Sequence, residues 1–576
     1  MNPQVPTPEE WLAADPDPVT RAELEQLIAA GDQAAIDDRF GDRLRFGTAG
    51  IRGPMGAGPN RMNRVVVRQF AFALAEWLPA KAHVVIGCDA RENSDLFADD
   101  IAEALVAAGC WPTVLPPRSP TPVLAFAVTR LGADAGVMVT ASHNPVGDNG
   151  LKLYLADGAQ VIPPHDQAIE AAMATQLLPP LRLFSRRPDL EADKSANINR
   201  VAYMSGQALS VLGVDSPQDH RMQDAYLAAI LSNVAIQGPF HPVAYTPLQG
   251  VGLPLLSRAL DYIDNGRPFV VADEAEPDPL FRNVVSPNPE NHDTLAKVIN
   301  RAEQVDTPLA LATDPDADRL AAAVWAYDNE WRILTGDEIG ALLCDWMLRT
   351  TLGGSERVVA NSIVSGRLVG RIAAARGATH VETLTGFKWI ARAADNLEPR
   401  EDGLPWRLVF GYEEALGYAC NDQVRDKDGI SAAVQFVALC RALAMEDGRT
   451  PVERLAELMD EFGLHRTDQV SIDLGGRPAS EFMEVIRADY PQRFGSIEVA
   501  QTTDYQDGVG GLYPADVLRF DLADGSRVSL RPSGTEPLIK GYIEVVGDIT
   551  FPDPLLTLSE SVRELIYEAS SAISDR

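Results

Sequence analysis

The chain has 576 residues, of which 50 are Lys or Arg and 82 are Asp or Glu, so its formal net charge at pH 7 is -32. At about 100–200 residues per domain, this length predicts three to five domains. The net negative charge argues against nucleic acid or anionic membranes as partners. An anionic substrate would need a local cationic cleft, because the protein as a whole repels it.

Neither disulfides nor a membrane segment is predicted. The five cysteines are widely spaced and include no CxxC pair, which argues against a zinc site or a disulfide framework. The N-terminal residues lack the basic and apolar regions of a signal peptide, and no apolar run reaches the roughly 18 residues of a membrane span. We expect a cytoplasmic protein with no nucleic-acid and no membrane partner.

The predicted elements begin with helices over residues 7–40 and a glycine-rich stretch over 41–58. Strands then alternate with helices in three blocks, which predicts α/β layers with largely parallel sheets. The final segment has half-exposed strands and predicts a small α+β domain. Predicted strands are 84–87, 136–139, 243–245, 269–271, 309–311, 358–359, 408–410, 470–474 and 528–530, and later helices are 96–108, 479–490 and 556–573. Linkers near 210–220, 326 and 455 predict domains 1–215, 216–325, 326–455 and 456–576.

A hydroxyl nucleophile candidate, Ser142, stands in Thr140-Ala141-Ser142-His143-Asn144-Pro145, just after a predicted strand. In open α/β sheets, ligands gather beyond the carboxyl ends of the strands. Pro145 and the predicted turn at 147–150 disfavour a helix after Ser142. Lys152 follows closely enough in the chain to stabilise negative charge at Ser142. The hydrolase pattern G-x-S-x-G is absent, so an esterase is not supported.

Three alternating carboxylates occur in Asp314-Pro315-Asp316-Ala317-Asp318-Arg319. On an extended segment this spacing would put all three on one side, where they suit Mg²⁺ or Ca²⁺. An EF-hand is excluded, because position six would be Arg319 and position twelve Trp325. A phosphate on Ser142 would supply a further ligand oxygen, and Arg319 suits a substrate phosphate.

Other loops carry polar groups suited to anions and sugars. Residues 531–537, Arg-Pro-Ser-Gly-Thr-Glu-Pro, combine a guanidinium, hydroxyls and a glycine that lets backbone N–H groups approach an anion. Residues 385–389 and the pair Glu413-Glu414 each follow a predicted strand, and paired carboxylates suit sugar hydroxyls. The segment 46–53 has the flexibility of an anion loop, but the chain matches neither G-x-G-x-x-G nor the Walker lysine pattern.

These stretches together resemble the α-D-phosphohexomutase superfamily of phosphoglucomutases and phosphomannomutases, over about residues 40–545. The resemblance rests on TASHNP, D-x-D-x-D-R, the E-E pair and RPSGTEP, in the family's order. The sequences at 411–418 and 426–429 are most similar to the longer subgroup of phosphoglucomutase-2-type and phosphopentomutase enzymes. The implied fold is α/β with four domains, three α/β sheet domains plus a smaller C-terminal α+β domain around a central cleft.

The resemblance implies an intramolecular phosphotransferase that interconverts glucose 1-phosphate and glucose 6-phosphate. The implied cofactors are Mg²⁺ and glucose 1,6-bisphosphate, and the implied state is a monomer or homodimer. Ser142 would be the phosphoserine that gives and regains the phosphoryl group. The implied catalytic groups are Ser142, His143, Lys152 and Arg52, with His143 or Lys152 assisting proton transfer. The implied metal ligands are Ser142, Asp314, Asp316 and Asp318. The implied substrate contacts are Arg319, Gly386, Lys388, Glu413, Arg531, Ser533, Gly534 and Thr535.

Two positions depart from the family pattern. Ala415 stands where many relatives have a Ser that is expected to contact the sugar. The loss of that hydroxyl removes one hydrogen bond, worth about 1 kcal/mol, so the sequence does not decide which sugar is preferred. Gln249 stands where relatives often have His. The alternatives are a phosphomannomutase, a phosphopentomutase acting on ribose 1-phosphate and 5-phosphate, a sugar-bisphosphate synthase, a non-catalytic relative and a Ca²⁺-binding scaffold.

Overall fold

A computed structural model of the chain describes residues 5–47, 50–176, 178, 220–326, 330–446, 448–533, 538–547 and 553–574. The chain divides into two units. The first contains Met1–Leu334 and Leu416–Ala442, and the second contains Thr335–Ala415 and Leu443–Arg576. The linker predicted at 210–220 lies outside the described residues except for its last position.

The first unit begins with the helices predicted over 7–40. Thr7 and Glu10 form a reciprocal capping box, and the Asp17 side chain caps the second helix by accepting the Val19 N–H. A six-stranded sheet in the order β1-β2-β6-β5-β3-β4 follows. The helices are α1 (Pro8–Ala14), α2 (Pro18–Ala30), α3 (Gln33–Phe40), α4 (Arg64–Trp77), α5 (Ser94–Ala107), α6 (Thr121–Leu131) and α7 (His165–Thr175). The strands are β1 (Phe46–Gly47), β2 (Gly50–Pro54), β3 (His83–Cys88), β4 (Trp111–Val114), β5 (Ala135–Val139) and β6 (Asp148–Leu155).

This first sheet is mixed, which corrects the expectation of largely parallel sheets. β3 is parallel to β4 and β5, but β6 is antiparallel to both β5 and β2. The short connection at 140–147 explains the difference, since a parallel neighbour needs a crossover of a dozen or more residues. Residues 148–150, expected in a turn, instead begin β6. The loop that carries Ser142 is therefore a hairpin connection at the carboxyl end of β5.

The second sheet, also in the first unit, has the order β11-β10-β9-β7-β8. β7, β8 and β9 are parallel. The chain then passes through residues 314–319, which form the aspartate loop, and β10 returns antiparallel to β9. The strands are β7 (Ala244–Thr246), β8 (Phe269–Val270), β9 (Leu309–Thr313), β10 (Leu320–Trp325) and β11 (Trp331–Ile333). The helices are α8 (Arg221–Leu231), α9 (Leu253–Tyr262) and α10 (Ala296–Gln304), the last preceded by a 3₁₀ turn, His292–Leu295.

The second unit contains a parallel sheet in which β12 (Arg357–Ser362) pairs with β13 (Thr379–Thr383) and β14 (Arg407–Glu413). Its helices are α11 (Gly336–Thr350), α12 (Leu368–Ala375) and α13 (Phe387–Ile390). The chain then returns to the first unit with β15 (Gly417–Ala419) and α14 (Gly429–Met445) before α15 (Pro451–Phe462). Position 455, near which a linker was expected, lies inside α15, where neighbouring Arg454 is ion-paired with Asp345 of α11.

The C-terminal part of the second unit is an antiparallel sheet in the order β16-β21-β20-β19-β18-β17. Two helices cover it, and buried side chains such as Phe482, Phe520 and Val562 form its core. This confirms the predicted α+β character. The strands are β16 (His465–Asp473), β17 (Arg493–Phe494), β18 (Ile497–Asp504), β19 (Leu518–Leu522), β20 (Arg527–Pro532) and β21 (Leu538–Val546), and the helices are α16 (Ala479–Ala488) and α17 (Pro554–Ser574).

In the described part of the chain, no helix has both the length and the apolar character that crossing a membrane would require. Each of the five cysteines is a buried free thiol.

Candidate active site

Three aspartates converge at the carboxyl end of β9. One carboxylate oxygen from each of Asp314, Asp316 and Asp318 lies within 4.8 Å of the other two, and all three residues are buried. The segment is not extended as expected, because Ala317 takes a φ of 60° and the residues form a turn. Asp314 Oδ1 stabilises this turn by accepting the backbone N–H groups of Asp318 and Arg319, at 3.1 and 3.0 Å.

The carboxylate group fits a hard divalent cation. Oδ1 of Asp316 and Oδ1 of Asp318 are buried and have no hydrogen-bond partner in the protein. Buried acceptors are normally satisfied, and closely spaced carboxylate oxygens are the ligands that Mg²⁺ and Ca²⁺ prefer. Among the described residues, this is the one group of three or more His, Cys, Asp or Glu side chains with metal-binding geometry.

Two buried lysines lie against these carboxylates. Lys152 Nζ is 2.7 Å from Asp316 Oδ2 and 2.6 Å from Asp318 Oδ2, and Lys427 Nζ is 3.1 Å from Asp318 Oδ2. Burial by itself would lower the pKa of Lys152, but the two carboxylates outweigh it and raise that pKa. Lys152 is therefore held as a cation between two of the candidate metal ligands.

The pKa values of Asp314 and Asp318 shift in opposite directions. Burial, followed by the charges of Asp316 and Asp318, raises the pKa of Asp314 well above its usual range. Burial opposes ionisation of Asp318 as well, but Lys152 and Lys427 outweigh it and lower the pKa of that carboxyl. Asp314 is therefore the carboxyl group of the three that most readily holds a proton.

Ser142 lies directly against the aspartate loop. Its Oγ donates a hydrogen bond to Asp314 Oδ2 at 2.6 Å, although the two residues are 172 positions apart in the chain. The Ser142 N–H donates to Thr140 Oγ1 at 2.8 Å, and Thr140 Oγ1 donates to Asp89 Oδ2 at 2.7 Å. Ser142 has a φ of 51°, in the left-handed region that few non-glycine residues adopt. A fixed loop conformation thus aims the hydroxyl at the candidate metal site.

Arg91 holds the conformation of this loop. One terminal nitrogen donates to the carbonyl oxygens of Ser142 and Asn144, at 2.7 and 2.6 Å, and the other to those of Pro145 and Asp148, both at 3.1 Å. Four backbone carbonyls that would otherwise need water are satisfied by one buried guanidinium. Arg91 follows β3 by three positions and belongs to no sequence motif, so only its position in the fold indicates this role.

The remaining predicted residues of the first unit are also gathered near Ser142. His143 Nδ1 lies 3.2 Å from Ser142 Oγ. Burial and the nearby cations Arg319 and Arg52 lower the pKa of His143 well below its ordinary value. Arg52 donates to Asn144 Oδ1 at 3.1 Å, and Arg319 forms an ion pair of 2.5 Å with Glu290.

The predicted residues of the second unit lie at one edge of its parallel sheet or in the C-terminal sheet. Gly386, with a φ of 110°, follows β13 and begins α13, where Lys388 lies, and Glu413 is the last residue of β14. Because β13 and β14 are both parallel to β12, these positions share the carboxyl edge. Arg531 lies in β20, and the Ser533 N–H donates to Leu538 O at 2.9 Å. Gly534 and Thr535 lie outside the described residues.

Comparison with known proteins identifies the family. Models of the four phosphoglucomutase/phosphomannomutase domains match this chain: domain I at residues 43–178, domain II at 224–326, domain III at 335–462 and the C-terminal domain at 483–548. The chain belongs to this family. It is therefore an enzyme of the phosphosugar mutase class, and the four-domain architecture with three α/β domains and a C-terminal α+β domain is confirmed.

Individual relatives of the mutase carry several names. A Haemophilus influenzae protein named "Probable phosphomannomutase" is 36% identical over 88% of this chain and 98% of its own length. Mouse phosphopentomutase is 32% identical over 98% of this chain and 93% of its own length. A Staphylococcus haemolyticus phosphoglucomutase is 33% identical over 88% of this chain and 91% of its own length. The family's fold is also seen in a Burkholderia thailandensis family protein, with a TM-score of 0.63 at 18% identity, covering 91% of this chain and 97% of that one.

Two further features of the mutase's first unit have no role assigned from the sequence. The segment 426–429, which in the sequence is similar to the longer subgroup, places Lys427 Nζ 3.1 Å from Asp318 Oδ2. Its neighbour Asp426 accepts hydrogen bonds from Tyr154 and Gln160, at 2.6 and 2.7 Å. These bonds fix the backbone beside Lys427. The sequence shows Lys427 between two acidic residues, which indicates a charge cluster. It does not indicate the contact with Asp318, because the two residues are far apart in the chain.

Gln249, which stands where relatives often have His, lies next to a glycine that packs on the aspartate loop. Its Oε1 accepts the Asn283 N–H at 3.0 Å. The next residue, Gly250, packs so closely on Pro315 that a Cβ there would lie 2.3 Å from the Pro315 Cα. The segment held by Gln249 includes Phe281, whose ring centroid is 4.9 Å from the Arg91 Cζ. The Gln249 side chain therefore holds the segment that carries Phe281, while the neighbouring Gly250 makes the contact with the aspartate loop.

Proposed function

We propose that the protein is a Mg²⁺-dependent mutase that interconverts glucose 1-phosphate and glucose 6-phosphate through a phosphoserine at Ser142 and glucose 1,6-bisphosphate. The observation that carries this proposal is the 2.6 Å hydrogen bond from Ser142 Oγ to Asp314 Oδ2, within a buried group of three carboxylates. A hydroxyl fixed against a candidate divalent-metal site is the arrangement that phosphoryl transfer to and from serine requires.

Asp314, Asp316 and Asp318 would hold Mg²⁺ together with an oxygen of the phosphate carried on Ser142. When bound, the ion neutralises phosphate charge and polarises the phosphoryl group. The unpartnered Oδ1 atoms of Asp316 and Asp318 support this ligand set. Lys152 and Lys427 offset two of the three carboxylate charges, which reduces the negative charge that a dianionic phosphoserine meets in the site.

Residues around Ser142 would orient the phosphoryl group and move one proton. When the phosphoryl group passes from Ser142 Oγ to a sugar hydroxyl, the Oγ–P bond breaks as the new O–P bond forms. The hydroxyl proton goes to a nearby base, and a proton returns to Ser142 Oγ. His143 supports this role, because its Nδ1 lies 3.2 Å from Oγ. Lys152 is the alternative, but it would first have to give up the proton that its contacts with Asp316 and Asp318 favour. Arg52 and Arg319 would donate to the phosphate oxygens. The sugar bisphosphate formed in this step would then reorient in the site and return its other phosphate to Ser142.

Residues of the second unit would recognise the substrate. Glu413 would accept hydrogen bonds from sugar hydroxyls, while Gly386 and Lys388 would contact the substrate in its two orientations. The non-reacting phosphate would be held by Arg531, Ser533, Gly534 and Thr535. The support for Gly386, Lys388 and Glu413 is their shared position at the carboxyl edge of a parallel sheet, where ligands of α/β proteins bind.

A pentose phosphate is the second candidate substrate. Ala415 provides no hydroxyl for the sugar at a position where many relatives have Ser, and a relative covering 98% of this chain is named phosphopentomutase. A mannose phosphate is the third, since the H. influenzae relative carries the phosphomannomutase name.

The test measures conversion of glucose 1-phosphate to glucose 6-phosphate with Mg²⁺ and a trace of glucose 1,6-bisphosphate. Wild type is compared with Ser142→Ala and with Ser232→Ala, which removes an exposed serine outside the site. We expect full activity in wild type and Ser232→Ala, and loss of turnover in Ser142→Ala. Ribose 1-phosphate and mannose 1-phosphate are assayed in parallel to rank the sugars. Equal activity of wild type and Ser142→Ala would contradict the phosphoserine, and inactivity on all three sugars would favour a non-catalytic relative.

A further inference from the structure

The loop at residues 505–517 is an ordered feature of the second unit to which the family's implied chemistry assigns no role. It joins β18 to β19 and is closed at its base, where the Tyr505 N–H donates to Val517 O at 3.0 Å and the Ala515 N–H donates to Tyr505 O at 2.9 Å. Gly508, Gly510 and Gly511 take positive φ values, between 60° and 85°, which fold the loop back on itself. The loop therefore has a defined conformation.

The apolar side of this loop covers the ligand edge of the parallel sheet. Tyr505 and Val517 pack in one buried cluster with Ile363, which follows β12, and with Leu384, which follows β13. Leu512 and Ala515 pack against the same cluster. The loop is thus fixed beside the carboxyl ends of β12 and β13, where the candidate sugar-binding residues Gly386 and Lys388 also lie.

The outer part of the loop presents an aromatic pair beside a cation. The ring centroid of Tyr513 is 4.9 Å from that of Trp389, with an angle of 33° between the ring planes. Lys388 Nζ lies 5.8 Å from the Trp389 ring centroid. Tyr513 nevertheless remains 45% exposed. An aromatic pair with one ring open to solvent and a lysine beside the other ring suits a ligand that has both an apolar ring face and an anionic group.

A phosphosugar has this chemistry. Its C–H face can pack on an aromatic ring, while its phosphate or hydroxyl oxygens can contact the lysine. A protein partner is disfavoured, because a specific protein interface typically buries about 800 Å² on each side, far more than one aromatic pair offers. The proximity of the pair to Lys388 favours the sugar.

We propose that Tyr513, supported by Trp389, is a specificity-determining residue that packs on the sugar ring of the bound substrate. This inference rests on the proposed mutase function and names a contact for the same substrate. Because the ring is contacted in both the ground state and the transition state, its loss should raise KM more than it lowers kcat.

The experiment measures KM and kcat for glucose 1-phosphate and for ribose 1-phosphate in wild type, Tyr513→Ala and Tyr513→Phe. Tyr567→Ala is the matched control, since Tyr567 is a 76% exposed tyrosine on α17. We expect Tyr513→Ala to raise KM about three- to tenfold for the preferred sugar, the range that an aromatic contact provides. The kcat should stay within about twofold, Tyr513→Phe should keep most of the affinity, and Tyr567→Ala should match wild type.

The results separate the two proposals. An inactive wild type on every phosphosugar would overturn the mutase proposal itself. An active wild type with an unchanged KM in Tyr513→Ala would overturn only the role of Tyr513. A fall in kcat without a rise in KM would also overturn the role of Tyr513. So would an equal rise in KM in Tyr513→Ala and Tyr513→Phe, because Phe keeps the ring that is proposed to pack on the sugar.

Discussion

At the scale of single residues, Lys152 is the group whose removal should disturb the site most. Lys152→Met would leave Asp316 and Asp318 buried with less compensating charge, and breaking such a buried pair costs about 3–5 kcal/mol. We expect a matching fall in the free energy of unfolding, measured by urea denaturation, and mutase activity reduced at least about 100-fold. Lys81→Met, at an exposed lysine, is the control. A Lys152→Met variant as stable and active as wild type would refute this account.

Arg91 offers a second test at the residue scale, because it acts on Ser142 only through the backbone. Arg91→Lys keeps the charge but cannot reach all four carbonyls of the Ser142 loop. We expect kcat to fall about 100-fold with little change in KM, since misplacement of a nucleophile by about 1 Å has an effect of that size. Steady-state kinetics measure both constants. A rise in KM with unchanged kcat would instead indicate a substrate contact.

At the scale of elements, buried carboxyls join the parallel sheet to the C-terminal sheet within the second unit. Glu544 of β21 pairs with His465 Nδ1 at 2.8 Å and with Arg367, which precedes α12. Burial opposes ionisation, but the hydrogen bond from His465 and the charges of Arg527 and Arg367 lower the pKa of Glu544 to about 2. A depressed pKa stabilises the fold above the unfolded value, near 4.5, and that stability is lost as pH falls towards 2.

We therefore expect Glu544→Gln to reduce the free energy of unfolding by on the order of 3 kcal/mol at pH 7, and by progressively less below pH 4.5. Urea denaturation across this pH range measures the difference. A loss that does not depend on pH would show that the charge of Glu544 contributes nothing.

Asp337 of α11 should show the opposite pH dependence. Burial raises its pKa to about 6, while its Oδ1 accepts the Gly366 N–H at 2.7 Å and the Tyr412 hydroxyl at 2.9 Å. A raised pKa contributes stability below the unfolded value, near 3.8, and that contribution is lost as pH rises through 6. Asp337→Asn keeps an acceptor but cannot ionise. We expect it to match wild type at pH 4 and to be more stable at pH 8, as measured by urea denaturation.

At the scale of the whole molecule, all three candidate metal ligands on the aspartate loop lie in the first unit, as does Ser142. A cation that binds only the folded protein raises its stability by mass action. We expect chelation to abolish activity and lower the thermal unfolding midpoint, and Mg²⁺ to restore both. In Asp316→Asn, which removes a ligand, Mg²⁺ should shift the midpoint much less. Selective stabilisation by Ca²⁺ without activity would instead favour the Ca²⁺-binding scaffold.

Other whole-molecule predictions remain predictions. The domain boundaries at 215/216, 325/326 and 455/456, the central cleft, the monomer or homodimer state and the cytoplasmic location are expectations from the sequence. Light scattering of the purified protein measures the oligomeric state.

The sequence by itself indicated the family, nine of the strands and the candidate residues, whose roles stay predictions. Short motifs identify Ser142 and the three aspartates, because such a motif can be recognised in the sequence without knowing where the fold places it. Strands such as β3 and β9 were predictable because a continuous β-branched or apolar run indicates a buried strand without reference to its neighbours.

Only the tertiary structure decided which groups meet. The fold decides the strand directions of the mixed first sheet and the turn that brings the aspartates together. It also brings Arg91, Gln249 and Lys427 to partners that are far away in the chain. No local pattern encodes such contacts, because strand order and the packing of one loop on another depend on the burial of whole elements. Tyr513 is the clearest case, since an ordinary loop tyrosine acquires a candidate role only when the fold brings it to Trp389.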